Sequence, residues 1–255
     1  MRQSSSPRRC RAASRRSASY RLPPLLCPPR PPTSATFDRI ELTGETAAQR
    51  RAAEQSLELA EHAAPALSGP DGAVWLEQLD AQSGGVEAAL DWARRSGEAE
   101  LALRLATAYA PVWFLRGRVT DGRRWLEAAL LARARVPSHL VVRALREASL
   151  FARVQGQYET AHRLARVALH TAAGLPRPVL AAVALDAGEL AARRGALASA
   201  ESLDARSHAL AAGDALAAAR AECELAEVAL LRGDADEARA RGERALERQH
   251  QLEDE

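Results

Sequence analysis

The residues whose spacing comes nearest to a known chemistry are Gly117-Arg118-Val119-Thr120-Asp121-Gly122-Arg123-Arg124, which repeat the glycine spacing of a phosphate-binding loop. Such a loop needs an ammonium group that reaches the phosphates, a following hydroxyl for magnesium, and a buried strand ahead of it. Arg123 stands where the lysine belongs, Arg124 where the hydroxyl belongs, and the preceding run has a helical rather than a strand pattern. All 35 basic residues are arginine, a bias that fits a GC-rich coding sequence. With no lysine in the chain, a Walker lysine, a Schiff base and a catalytic lysine are all excluded.

The other reactive residue types do not converge either. The six histidines (His62, His139, His162, His170, His208 and His250) form no HExxH or HxH pattern and no Cys/His ligand cluster. Cys10, Cys27 and Cys223 have no paired spacing, as expected of a reduced protein without structural disulfides or zinc. Cys223 falls on an apolar helical stripe and reads as a small core residue. No Gly-x-Ser-x-Gly elbow is present, and the carboxylates are dispersed. These observations imply a non-enzymatic chain with no cofactor and no metal.

Binding chemistry is what remains. Arg116, Arg118, Arg123 and Arg124 crowd one turn and Arg193 and Arg194 flank another, a rim that could recruit an acidic peptide or a neighbouring domain. Asp204 and His208 replace apolar residues of the preceding unit and are groove candidates. Trp75, Trp92, Trp113 and Trp125 sit at helical spacing and are expected in the core.

The elements that position these residues repeat. Gly117, Gly156, Gly195 and Gly233 are separated by 39, 39 and 38 residues, and each is followed five places on by Gly122, Ala161, Ala200 or Ala238. An apolar helical run precedes each glycine and a second amphipathic run follows it, which is the signature of stacked helical hairpins. The repeats are expected at helices 98–116 and 119–134, 138–154 and 157–173, 177–194 and 197–211, and 214–232 and 235–250. Leu101, Leu105, Ala108, Val112 and Leu115 share one face of the first helix, and Leu216, Ala219, Cys223, Ala226 and Leu230 one face of the seventh. The pattern decays toward the end. Asp204, Ser207 and His208 stand where Ala165, Ala168 and Leu169 stood, and Arg241 where Leu164 stood, which implies rotated helices or a loosening array.

Three shorter helices are expected ahead of the repeats: Thr43 to Ala64, capped by Thr43 or Thr46, then Gly72 to Gln82, then Val86 to Arg95 after a Ser83-Gly84-Gly85 turn. The first 36 residues hold eight arginines, no acid and several Pro-Pro pairs, and read as a disordered tail. The fold class is therefore all-α, an α-solenoid of antiparallel helix pairs, with a tail over 1–36, a helical adaptor over 37–96 and about four helix pairs over 97–255. Ala and Leu supply most of the 47% hydrophobic content and aromatics only 4%, which suits helices packed through small residues. No apolar run reaches the roughly 18 residues of a membrane helix. The net charge of +2 is unevenly placed: the tail holds eight arginines and no acid, so the rest of the chain is net acidic and lacks the basic excess of a nucleic-acid face. A cytoplasmic location is expected.

Between residues 75 and 130 the chain resembles a known family. Trp75-Leu76-x-x-Leu79, Ala88-Ala89-Leu90-x-Trp92-Ala93, Trp113-Phe114-Leu115-Arg116-Gly117-Arg118 and Gly122-Arg123-Arg124-Trp125-Leu126-Glu127 are similar to the segment that joins ATPase to helical repeats in LuxR-type and AfsR-type bacterial regulators, relatives of MalT-like proteins with tetratricopeptide-like repeats. Gln82-Ser83-Gly84-Gly85 departs from that pattern. The resemblance implies a tetratricopeptide-like sensor and oligomerisation region, without the ATPase and helix-turn-helix domains, and a chain that is a fragment or remnant of such a regulator. It also implies partners: a protein or peptide, a small-molecule inducer, the ATPase domain of a related or neighbouring chain, or a second copy. The alternative is a nucleic-acid-associated regulator that uses the basic tail.

Overall fold

The computed structural model describes residues 34–253 except 212, and the side chains between 46 and 250. The chain divides into the units Met1–Leu42 and Thr43–Glu255, and everything below concerns the second. Of the tail expected over 1–36, residues 1–33 lie outside the described residues, and 34–36 belong to the first helix.

Among the described residues there are helices and no strands. In order they are α1 (Ser34–Ala63), α2 (Gly72–Ala81), α3 (Ser83–Arg95), α4 (Ala99–Leu115), α5 (Val119–Leu131), α6 (Ser138–Val154), α7 (Tyr158–Thr171), α8 (Arg177–Arg193), α9 (Leu197–Leu210), α10 (Ala215–Arg232) and α11 (Ala235–Glu253). Two boundaries differ from expectation. α1 already runs through Thr43 and Thr46, so neither is its cap, and Ser83-Gly84-Gly85 forms the first turn of α3 instead of a separate turn.

Each hairpin closes on the same backbone device. Gly117, Gly156, Gly195 and Gly233 have φ of 70, 72, 75 and 84°, a left-handed conformation that a side chain disfavours. The residue after each glycine donates its N–H five places back, Arg118 to Trp113 O at 2.7 Å, with Gln157 to Ala152, Ala196 to Ala191 and Asp234 to Ala229 each at 2.9 Å. This is the Schellman closure, which satisfies carbonyls left open at a helix end. Gly97 (φ 74°) closes α3 onto α4 in the same way, a turn the repeat pattern had not included.

The first helices of the hairpins form one row, with α4 packed on α6 and α8 on α10; we call it the inner row. The second helices α5, α7, α9 and α11 form the outer row, and α5, α7 and α9 each pack against both the preceding and the following inner helix. One apolar core runs from α1 into α8 as far as Val183, and it holds the largest buried side chains, Trp113, Tyr109 and Phe151. Beyond it only small alanine-rich clusters remain. Tyr109 donates to Leu79 O at 2.9 Å and meets Trp113 edge to face, tying α4 to α2.

The decay of the pattern has a different cause from either expectation. In the first two repeats Leu130, Leu145 and Leu164 come together where α5, α6 and α7 meet. The residues at the same offsets from the turn glycines of the last two repeats are His208, Glu222 and Arg241. They come together as well: Glu222, only 5% exposed, is reached by His208 and Arg241 at 3.2 Å each and by Arg244 at 3.7 Å. The apolar junction has been exchanged as a set for an ionic one. With Glu222 facing inward, the expected stripe of α10 holds only in part: Ala219 is buried, but Cys223, Leu216 and Leu230 are exposed, and Leu225 and Val228 are buried instead. Leu115 is likewise exposed at the end of α4.

Two measurements check this packing. Gly122 lies where a Cβ would come within 2.4 Å of Phe151 and 2.9 Å of Trp113, so Gly122→Ala should lower unfolding stability by about 1–2 kcal/mol in urea, the overpacking cost exceeding the gain in helix propensity. Arg241→Leu should cost about 1–3 kcal/mol by weakening the compensation of Glu222, whereas the triple replacement His208→Leu, Glu222→Leu, Arg241→Leu should match or exceed the parent chain.

Candidate functional site

The inner row carries a stripe of ionisable residues that follows from the repeat itself. Counted back from the turn glycines, arginines occupy the thirteenth place (Arg104, Arg143, Arg220), carboxylates the ninth (Glu147, Asp186, Glu224), and carboxylates again the sixth (Glu189, Glu227). Intervals of four and three put these places on one helical face. Neither apolar periodicity nor a singular motif marks them, yet their offsets from the turn glycines are legible in the sequence.

These residues join neighbouring inner helices. Arg146 of α6 holds Asp186 of α8 through two bonds at 2.5 and 3.2 Å, and Arg153 of α6 reaches Glu189, which also accepts from Arg193 at 3.0 Å. Nearer the N-terminal side, Arg104 of α4 grips Glu61 of α1 at 2.8 and 3.0 Å. A groove of about 140 Å³ runs between α6 and α8 over Glu147, Leu150 and Leu190. That is small for an enclosed drug-sized ligand, which occupies roughly 300 Å³ or more. Burial pushes Glu147 above the usual carboxylate range. Glu224 is raised to about 7, by burial first and then by the charges of Glu189 and Glu227, against Arg193 and Arg153. Among the described residues Glu224 and Glu227 have no ion-pair partner within 4 Å; Arg193 and Arg153 act on Glu224, and Arg193 on Glu227, only at longer range.

The residues singled out from sequence are placed elsewhere. Arg116 pairs with Asp80 at 3.1 Å, Arg118 with Glu87 at 2.5 Å and Asp121 at 3.3 Å, and Arg123 with Glu127 at 2.8 Å while donating to Gln155 and Gln157 at 2.7 and 2.6 Å. Arg124 reaches Asp121 at 3.8 Å and lies over Trp125. Three of these four arginines therefore clamp one element to another, and Arg124 is the most exposed. A ladder is visible here: the residue just before each turn glycine bonds back to the preceding unit, Arg116 to Asp80, Gln155 to Thr120, Arg194 to Glu159 and Arg232 to Glu201. Partly exposed pairs of this kind contribute about 0–1 kcal/mol each, so their effect is on register more than on stability.

Asp204 and His208 do not meet in an open groove. His208 Nε2 lies 2.8 Å from Arg248 and 3.2 Å from Glu222 within the ionic junction. Asp204 is fully buried, and neither carboxylate oxygen has a hydrogen-bond partner among the described residues. It fits because Gly188 faces it: a Cβ there would lie 1.8 Å from Oδ1. The corresponding residue pairs in the first two repeats are Leu126 with Ala110 and Ala165 with Ser149, so volume has been traded across the seam of α8 and α9. Burial, then the charges of Glu224, Glu189 and Glu227, push Asp204 up to about 7.

Among the described residues no group of three His, Cys, Asp or Glu could hold a metal ion, and no helix is long and apolar enough to cross a membrane.

The chain is similar to several solved helical-repeat structures. BtubC (BKLC) from P. vanneervenii matches 83% of this chain and 92% of its own at 17% identity and a TM-score of 0.55. A single-substitution variant of the Podosopora anserina putative kinesin light chain with nearly identical TPR-like repeats matches 68% and 91% at 18% identity and 0.52. MamA matches 68% and 94% at 13% identity and 0.51. At such identities the likeness shows the fold, a tetratricopeptide-like solenoid. No family model matches the chain, and no curated protein matches it.

Asp204 gives this region a pH signature. A carboxyl whose folded pKa is raised keeps its proton in the native chain while the unfolded chain loses it near the ordinary value, so its contribution to stability declines from about pH 4 to about pH 7 and is then constant. Asp204→Asn should raise stability at pH 8 by about 2 kcal/mol and change it little at about pH 3.5, below the ordinary carboxylate range, read by thermal or urea unfolding at both pH values.

Proposed function

We propose that this chain is a non-catalytic protein-binding repeat module whose inner row of first helices receives a polypeptide segment. The observation that carries the reading is the inner stripe itself: it lines up half-buried and exposed ionisable side chains in three successive helices, leaves Glu224 and Glu227 without an ion-pair partner within 4 Å among the described residues, and offers an open seam instead of an enclosed cavity. A rigid surface built from stacked hairpins presents such charges at fixed intervals, which suits an extended or helical partner better than a small molecule. The arginine turn does not compete for this role, because Arg116, Arg118 and Arg123 are engaged in holding elements together.

A finer form of the reading makes the module the sensor and oligomerisation region of a LuxR-type or AfsR-type regulator, with an inducer or an ATPase domain among its partners. What supports it is the residue likeness of 86–130, centred on Trp113 to Gly117 and Gly122 to Glu127. Adjacent reading frames that encode a P-loop ATPase or a helix-turn-helix would bear it out, and a neighbourhood with neither would count against it.

The binding surface is checked by a peptide array against the full chain and a Glu224→Arg, Glu227→Arg variant. Peptides selected by the parent should be basic and should lose at least about tenfold in affinity on the variant, which corresponds to about 1.4 kcal/mol. Unchanged binding would move the site away from the inner row.

A further inference from the structure

The outer row holds a second feature that the inner-face reading does not use. Where α5, α6 and α7 meet, a groove of about 460 Å³ is floored by Leu130 and Leu145, 4% and 3% exposed, and walled by Leu131, Leu164 and Val167. Leu131 is 85% exposed and Val167 41%, so apolar surface is presented to solvent beside a floor that is already dry. Isolated exposed leucines are common, but a leucine that extends a buried cluster into an open groove is not isolated.

The equivalent junction at the other end of the array shows how this position is closed when no further group is required. There Arg244, the counterpart of Val167, and Arg241, the counterpart of Leu164, fold over Glu222, and Arg248 meets His208. The groove between α5 and α7 has no such internal cover.

Its charge is one-sided. Arg133 donates to Leu130 O at 2.9 Å and Arg163 to Thr160 Oγ1 at 3.2 Å, and neither guanidinium has a carboxylate within 4 Å among the described residues. The acid at the edge, Glu127, is neutralised by Arg123 at 2.8 Å. The groove is thus apolar along its length and cationic on its rim.

We infer that the groove between α5 and α7 is a docking site for a partner protein's amphipathic helix, one that lays an apolar ridge between Leu131, Leu164 and Val167 and sets Asp or Glu beside Arg133 and Arg163. Apolar anchors at intervals of three and four would enter the groove, and carboxylates flanking that ridge would complete the two guanidinium groups, which favour carboxylate recognition. This surface lies on the outer row and is independent of the inner-face reading.

The test uses the full chain and two fluorescein-labelled helical peptides with the same leucine ridge, one flanked by glutamate and the other by lysine. Anisotropy titrations should show the glutamate peptide binding at least about tenfold tighter than the lysine peptide, with the difference shrinking as salt rises. Leu131→Asp and the pair Arg133→Glu, Arg163→Glu should each weaken the glutamate peptide about tenfold or more, and the charge pair should reverse the preference. Leu131 is exposed, so Leu131→Asp should fold with an unchanged circular dichroism spectrum, and Glu224→Arg, Glu227→Arg should leave this binding intact. Equal affinity for the two peptides, binding indifferent to the groove variants, or no binding at millimolar peptide would overturn the inference. So would light scattering that shows the parent chain self-associating through the groove, with Leu131→Asp restoring the monomer, or displacement of the peptide by a fatty acid with the groove variants affecting only the acid.

Discussion

Across each helical hairpin the glycine turn fixes where the second helix starts against the first, so the side chains on the two sides of the seam must share the space between them. Trp113 under Gly122 and Ala152 beside Ala161 are two ways of dividing the same space, and Asp204 against Gly188 shares the next layer of the seam in the same manner. A close-packed interior transmits any change on one side to the other. This is why a tryptophan could be buried in the first repeat and a carboxylate in the third without altering the fold.

The same constraint explains the gradient along the array. Large side chains fill the layers from α2 to α6, where Trp113, Tyr109 and Phe151 build one continuous core. Farther on, small alanine-rich clusters replace the large side chains, and a buried acid held by two arginines and a histidine stands where leucines stood. Such an ionic junction adds little net stability compared with an apolar one, but it demands that its members stay together, because a lone Glu222 would be costly to bury. The two ends of the solenoid consequently offer different surfaces: an open apolar groove with arginine edges near α5 and α7, and a self-satisfied polar junction with acid on its inner side near α10.

Legibility followed the kind of signal. The turn glycines, the hairpin period and most helix limits could be read directly, since a positive φ and a change of amphipathic run leave marks in the residues themselves. The Gly97 turn escaped because it stands twenty residues before Gly117 and outside the period. The face of α10 was legible only in part: Ala219 of the expected stripe is buried, but Leu216, Cys223 and Leu230 continue an apolar stripe at helical spacing and are exposed, while the buried side includes Glu222. Arg116, Arg118 and Arg123 looked like a recruiting rim because their partners, Asp80, Glu87 and Gln155, are distant in sequence.

The sequence by itself determined the architecture: four evenly spaced glycines, each after an apolar helical run, force antiparallel pairs that must stack to bury their faces. It also determined that chemistry requiring a lysine is closed to this chain, which holds none. Only the tertiary structure decided which charges are paired with one another and which are not. That depends on distances between residues far apart in the chain, such as Arg146 and Asp186, 40 positions apart, or Arg104 and Glu61, 43 apart, and periodicity carries no information about them.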